Sequence, residues 1–288
     1  MSQFETQRSV KLADGTIIPA IGQGTWFMGE NPSKEMDEIS ALQLGVELGM
    51  TLIDTAEMYA NGGAELIVGK AIKHIRNKVF LVSKVYPHNA GKNSAIKACE
   101  NSLKRLQTDY LDLYLLHWRG SIPLAETVEV MENLKASGKI KRWGVSNFDT
   151  DDMKQLWQIT NGKNCAVNQV LYHLGSRGIE YDLIPWCKDH QMPIMAYCPI
   201  AQGGTLRKDL MNNKIVQDIA KAKQCTTAQL LLAWCIRNGN VIAIPKASNK
   251  THVHENAQAS TISFNQDELD LLDSIFTPPK HKIHLDIV

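Results

Sequence analysis

The sequence predicts a (β/α)8 barrel with an N-terminal β-hairpin and extra helices after the seventh strand and at the C-terminus, with residues 1–288 forming one domain. Three observations predict it. Eight short β-rich runs alternate with segments of helical periodicity. The runs recur at nearly even intervals. Several, such as Leu111-Asp112-Leu113-Tyr114-Leu115-Leu116, are apolar nearly throughout, as strands buried on both faces of a parallel sheet are. An open doubly wound sheet also fits the alternation, but eight even units favour closure. At about 150 residues per domain the length allows two domains, yet α/β barrels of about 250 residues fold as one.

The elements follow in order. Residues 9–18 read as a hairpin turning at Asp14-Gly15. The eight strand candidates are 21–26, 51–56, 79–85, 111–117, 142–147, 166–170, 193–198 and 241–245. Most begin about 23 to 32 residues after their predecessor, and the last about 48. Between them apolar residues recur every three to four positions: Met36, Ile39, Leu42 and Val46; Val68, Ala71, Ile72 and Ile75; Ala95, Ala98, Leu103 and Leu106; Val128, Met131 and Leu134. Gly49, Gly138 and Gly239 stand where a helix needs a left-handed end before the next strand. Residues 201–240 are expected to hold a loop and about two helices, and a loop of that length is often functional. A last helix spans Phe264, Leu269, Leu272 and Ile275 and stops before Pro278-Pro279.

Composition narrows the function. Lys and Arg total 31 against 30 Asp and Glu, so the basic excess of a dedicated nucleic-acid binder is absent, as is a global field for an anionic membrane. The run Met1-Ser2-Gln3-Phe4-Glu5-Thr6-Gln7-Arg8 has no apolar core, so no signal peptide is expected, and no stretch reaches about 18 apolar residues. Cys99, Cys165, Cys187, Cys198, Cys225 and Cys235 form no C-x-x-C pair and sit in apolar segments, which fits free thiols in a reducing cytoplasm.

Active sites of such barrels lie at the C-terminal ends of the strands. Those ends carry Trp26; Asp54 with Thr55 and Tyr59; Lys84; His117 with Trp118; Ser146-Asn147; Asn168-Gln169; Tyr197; and Lys246. Each has a plain reading alone. Asp54 with Glu57 is a possible helix cap and capping box, and Ser146-Asn147 possible loop and cap residues before 149–159. Their convergence on one rim is what points to chemistry. A phenol titrates near pH 10, too high for efficient proton transfer at neutral pH. A neighbouring ammonium is expected to lower it by about 1 to 3 units. The ammonium needs a carboxylate to stay charged, and Asp54 is the candidate. His117 can donate to a carbonyl oxygen and orient it. The set reads as a Tyr59 general acid tuned by Lys84 and Asp54.

These residues resemble the aldo-keto reductases. The resemblance runs from the hairpin to about Asn256. It includes Gly22-Gln23-Gly24-Thr25-Trp26, Ile53-Asp54-Thr55-Ala56-Glu57-Met58-Tyr59, Leu81-Val82-Ser83-Lys84, Leu115-Leu116-His117-Trp118, Gly144-Val145-Ser146-Asn147-Phe148, Val167-Asn168-Gln169 and Ile244-Pro245-Lys246. It looks most like the bacterial branch that reduces methylglyoxal, other 2-oxoaldehydes and keto-sugars such as 2,5-diketo-gluconate. The resemblance implies hydride transfer from NADPH to an aldehyde or ketone, with Asp54, Tyr59, Lys84 and His117 as the catalytic tetrad. It implies that Gly24 and Thr25 bind the coenzyme, that Ser146, Asn147 and Gln169 hold the carboxamide, and that Tyr197 stacks on the nicotinamide. Lys246 would meet the 2′-phosphate with Ser248, Asn249 and His252 near it, and Glu255 and Asn256 would reach the adenine. Trp26 and Trp118 would wall the substrate pocket. Read from the residues, small and partly aromatic walls, with Phe27 and Tyr86 as further candidates, suit a compact carbonyl. The family suggests a monomer.

Three departures stand out: Cys198 where many members have Ser, Ala247 where many have Ser, and His252 where many have Arg. A neutral His grips phosphate less well than an Arg fork, so NADPH preference rests mainly on Lys246. Gly203-Gly204 either folds over the pyrophosphate or is a plain turn. The short tail after Thr277 predicts an open pocket rim. A metal hydrolase is disfavoured, because His252-x-His254 lies at i and i+2 of a helix and no carboxylate cluster accompanies His281-x-x-His284. A non-catalytic NADP(H)-binding regulatory protein of the same fold is the remaining alternative; the complete tetrad favours catalysis.

Overall fold

The computed structural model describes residues 7–288. Residues 1–6, on which the expectation about a leader rests, lie outside them. The chain opens with an antiparallel hairpin of β1 (Ser9–Lys11) and β2 (Ile17–Pro19). Its turn falls at Asp14-Gly15, where Gly15 takes φ +89° and the Asp14 carboxylate accepts the Thr16 N–H at 3.0 Å. The hairpin buries Val10, Leu12 and Ile18. Asp14 also accepts from Arg142, at the start of a barrel strand, which places the hairpin at the N-terminal end of the barrel.

Eight parallel strands follow: β3 (Gln23–Gly24), β4 (Leu52–Asp54), β5 (Phe80–Val85), β6 (Leu113–Leu116), β7 (Trp143–Ser146), β8 (Asn168–Leu171), β9 (Ile194–Tyr197) and β10 (Val241–Ala243). They pair in chain order. Parallel bridges Ile21↔Ala243 and Gly24↔Lys246 join the first barrel strand to the last and close the ring. The seam is tight: a Cβ on Gly24 would lie 2.6 Å from the Ile244 carbonyl oxygen. All eight expected strands are present but shorter than their apolar runs.

The helices among the described residues are α1 (Glu35–Glu47), α2 (Gly63–Ile72), α3 (Lys92–Leu106), α4 (Leu124–Ala136), α5 (Thr150–Gln158), α6 (Leu183–Asp189), α7 (Gly204–Asn212), α8 (Lys214–Ala222), α9 (Thr227–Cys235), α10 (Lys250–Ala259) and α11 (Gln266–Ile275). Gly49, Gly138 and Gly239 follow α1, α4 and α9 with φ of +91°, +76° and +74°, the left-handed ends read from the sequence. None of the helices is long and apolar enough to cross a membrane.

Two local readings change. Three helices, not two, occupy residues 201–240. The extra one is α7, which buries only Leu210 and so carries no apolar stripe. Asp54 and Glu57 form no capping box: Glu57 instead accepts the Tyr86 N–H at 2.7 Å and the Asn89 amide at 3.1 Å. The cap before α5 is Asp149, with Asp152 completing the box.

The tail after α11 runs back across the strand ends. Lys282 pairs with Asp151 at 2.6 Å, Ile283 covers Gly178, Leu285 packs on the core, and Asp286 accepts the Ser176 hydroxyl.

Candidate active site

One cavity of about 570 Å³ opens at the C-terminal ends of the barrel strands. Gly24, Thr25, Trp26, Asp54, Tyr59, His117, Trp118, Ser146, Asn147, Gln169, Tyr197 and Lys246 line it.

Strand register assembles its floor. Asp54 ends β4 opposite Val82 of β5, and Lys84 stands two residues further along on the same face. Lys84 is 0% exposed and Asp54 2%. The Lys84 ammonium donates to Asp54 Oδ2 at 2.7 Å, to the Thr55 carbonyl at 3.0 Å and to the Tyr59 hydroxyl oxygen at 3.1 Å, so its three protons are all placed. Asp54 Oδ1 accepts from Gln169 Nε2 at 2.8 Å, which binds the opposite side of the ring to the pair. Tyr59 sits just past β4, and the backbone beyond it turns through Ala60 and Asn61 at positive φ. His117 meets the Tyr59 ring edge-on at 5.8 Å.

Electrostatics set the protonation states. Burial, then the Lys84 charge, pushes the His117 imidazole down to about 2, so it is neutral and carries one N–H. Its buried Nδ1 has no hydrogen-bond partner among the described residues. The phenol corrects the expectation. Burial, then the Asp54 carboxylate, holds Tyr59 well above its ordinary range. Burial outweighs the neighbouring ammonium, so the phenol keeps its proton at neutral pH. Burial likewise draws Lys84 below its usual value, opposed by Asp54.

A second wall is built of amides and hydroxyls. The Ser146 hydroxyl donates to the Gln169 carbonyl at 2.8 Å. Asn147 takes φ +59°, a region Asn tolerates, and its amide donates to the His117 carbonyl at 3.1 Å while its oxygen accepts from Tyr197 at 2.8 Å. Lys246 lies at the rim, its ammonium 3.2 Å from Ser248 Oγ.

The remaining expected residues stand apart. Ser248, Asn249, His252, Glu255 and Asn256 lie outside the cavity, on and before α10. Asn249 caps that helix through the Thr251 N–H at 2.8 Å. Phe27 lines the cavity, whereas Tyr86 stands behind Trp118, edge-on at 5.8 Å. Arg119, Arg207, Ile287 and Val288 line it without having been singled out. The last two correct the open rim: the tail folds back and forms part of the mouth. The alternating apolar residues Ile283, Leu285 and Ile287 were the available signal of an extended segment laid on a surface. Cys198, where Ser was the pattern, faces the cavity with its thiol pushed up to about 11 by burial, so it is protonated.

A barrel whose mouth sets a protonated phenol on a buried lysine–carboxylate pair, beside a neutral imidazole, defines a class of protein: an enzyme that gives a proton to a polarised oxygen. Comparison makes the class specific. The model of the aldo/keto reductase family matches residues 20–276. Methylglyoxal reductase YeaE of Escherichia coli (strain K12) is 57% identical over 98% of this chain and 99% of that protein. Glyoxal reductase of Bacillus subtilis (strain 168) is 34% identical over 93% and 92%. The structure of an aldo/keto reductase from Klebsiella pneumoniae, in complex with NADP and acetate, aligns with a TM-score of 0.96 at 57% identity over 98% of this chain and 100% of that one. The chain belongs to the aldo/keto reductase family and is an oxidoreductase.

Proposed function

We propose that this enzyme reduces small 2-oxoaldehydes, methylglyoxal first among them, to hydroxy-carbonyl products with NADPH. The observation that carries the reading is the Lys84 ammonium held 2.7 Å from Asp54 and 3.1 Å from the Tyr59 hydroxyl at the cavity floor. The two relatives named above reduce methylglyoxal and glyoxal by their names, and both are matched nearly end to end.

The cavity suits a nicotinamide dinucleotide phosphate by its donors. Gln169, Asn147 and Ser146 offer neutral amide and hydroxyl partners at one side, Tyr197 an aromatic face, and Lys246 an exposed cation at the rim. These are the groups that a carboxamide, a ring and a phosphate require. The bound coenzyme supplies a hydride. Tyr59 donates its proton to the substrate oxygen, and Lys84 stabilises the charge left on the phenol oxygen. His117 donates its single N–H to the same oxygen and fixes its direction. Asp54 keeps Lys84 charged, and Gln169 holds Asp54.

Six free cysteines support a reducing, cytoplasmic setting for the enzyme. The family resemblance supports a monomer, and the single closed ring of strands supports one domain. The test is NADPH oxidation with methylglyoxal by wild type and Tyr59→Phe. The variant is expected to lose about 10²–10⁴-fold in kcat with NADPH binding kept. A wild type that binds NADPH tightly but turns over no carbonyl would favour the regulatory alternative.

A further inference from the structure

The proton donor stands where the sheet has stopped holding the chain. Lys84 lies inside β5, opposite Leu115 of β6, and its ammonium is fixed by Asp54. Tyr59 has no such frame, because β4 ends at Asp54, short of it. Past that end the main chain keeps two bonds to β5. The Thr55 N–H donates to the Val82 carbonyl at 2.9 Å, and the Glu57 N–H donates to the Lys84 carbonyl at 3.4 Å. The second is longer than an ordinary N–H to oxygen bond, so the ladder is fading there. Beyond Tyr59 the backbone turns away through Ala60 and Asn61 at φ +50° and +51°.

The side chain of Glu57 takes over where the ladder fades. Its Oε1 accepts the Tyr86 N–H at 2.7 Å and the Asn89 side-chain amide at 3.1 Å. Tyr86 follows the end of β5 and stands two residues beyond Lys84; Glu57 stands two residues before Tyr59. The carboxylate therefore spans from the loop that carries the phenol to the strand that carries the ammonium. Its two donors move as one piece, since the Asn89 N–H donates to the Tyr86 carbonyl at 2.9 Å in the short turn after the strand. Bonds accepted by an ionised carboxylate are roughly twice as strong as neutral ones, which suits a single side chain that replaces a ladder. Among the described residues, the hydrogen bonds of the Glu57 carboxylate all belong to this span, and none caps a helix.

We infer that Glu57 is a positioning residue for the proton transfer: its carboxylate carries the registry of the sheet past the end of β4 and so holds the Tyr59 hydroxyl within reach of the Lys84 ammonium. The inference rests on the proposed carbonyl reduction and adds a residue that touches neither substrate nor coenzyme. Glu57 acts by reach and not by charge. What matters is an acceptor oxygen at the right distance from the Tyr86 N–H. Its loss lets the phenol drift from the 3.1 Å contact with Lys84, and that contact gains its value as charge forms on the phenol oxygen. The cost therefore falls on the chemical step and not on binding.

The test uses Glu57→Ala, Glu57→Asp and Glu57→Gln. The single-turnover rate of NADPH oxidation by methylglyoxal reads the chemical step without product release, and titration calorimetry reads the Kd for NADPH. Glu57→Asp keeps the charge but is one methylene too short; Glu57→Gln keeps the reach and loses the charge. A misplacement of about 1 Å can cost about 100-fold, so Glu57→Ala and Glu57→Asp are expected to slow the single turnover by about 10- to 100-fold. Glu57→Gln is expected to stay within about threefold of wild type, because its amide oxygen still accepts both donors. KM for methylglyoxal and Kd for NADPH stay within about twofold in all three. In a Tyr59→Phe background Glu57→Ala is expected to change the residual rate by less than about twofold, since the phenol through which it acts is gone. If Glu57→Ala folds poorly, Glu57→Asp against Glu57→Gln decides the matter. A normal Glu57→Asp with a slow Glu57→Gln, wild-type rates in all three variants, a matching rise in KM or in Kd, or an undiminished effect in the Tyr59→Phe background would each overturn the assignment while leaving carbonyl reduction standing. A wild type inert toward methylglyoxal would sink both.

Discussion

Asp54→Asn tests whether the lysine–carboxylate pair is the electrostatic base of the site. In the native protein Lys84 has no solvent contact, and its neutralising charge is Asp54 at 2.7 Å. The Thr55 carbonyl and the Tyr59 hydroxyl oxygen accept its other protons but carry no charge. Removing the carboxylate charge leaves a buried ammonium uncompensated, which costs about 3–5 kcal/mol. At about 2–4 °C per kcal/mol for a chain of this size, the melting temperature at pH 7 falls by about 6–20 °C. The loss has a pH signature. Lys84 in the variant binds its proton more weakly than in the unfolded chain, so the penalty is full at neutral pH and shrinks as pH rises toward the unfolded lysine value of about 10.4. Adding Lys84→Met removes the stranded charge, and the double variant recovers most of the lost stability. Calorimetric melts of wild type, both singles and the double at pH 7 and pH 9.5 are the assay. A single variant within about 1 kcal/mol of wild type, or a double variant as unstable as the single, would refute the reasoning.

Two further outcomes follow. His117, held at about 2 by burial and the Lys84 charge, binds no proton in the folded state as pH falls, while the unfolded chain binds one below about 6.5. Stability present above pH 6.5 therefore drains by about 1.4 kcal/mol per pH unit on acidification, and His117→Gln removes that slope. An acid denaturation curve identical in both proteins, or an imidazole break near 6.5 in kcat/KM that the variant abolishes, would contradict the neutral ring. The wild type is expected to bind NADPH more tightly than NADH, and Lys246→Met to weaken NADPH about tenfold while leaving NADH within about twofold; equal wild-type dissociation constants would defeat the preference.

The barrel was readable because its repeat is coarse. Each strand is a short apolar run, each helix a stripe of period 3.6, and Gly49, Gly138 and Gly239 mark the joints. Helix α7 escaped the same reading because eight of its nine residues touch solvent and only Leu210 does not. The polar rim was legible as positions, since closing the barrel brings strand ends to one mouth whatever their chemistry. What sequence could not give was the balance of charges there. Taken alone, Lys84 reads as a solvated strand-end lysine, whereas in the fold it is fully buried against Asp54. The return of Ile287 and Val288 to the mouth depends on contacts with Ser176, Gly178 and Asp151, more than a hundred residues away in the chain.

The raised phenol fits the proposed reaction better than the acidic one first expected. A general acid must hold its proton until the oxygen it serves becomes basic, and a desolvated Tyr59 does so at neutral pH. What the site then supplies is a preset ammonium 3.1 Å from the atom that becomes negative. While the phenol is neutral, that ammonium is spent on Asp54 and gives Tyr59 little. As the proton leaves, charge appears on the oxygen within hydrogen-bond reach of a cation that has no water to reorganise, so stabilisation grows along with the charge. Interactions that strengthen only as the transition state forms raise kcat, whereas a phenol already acidic in the resting enzyme would have taken the same stabilisation in the ground state.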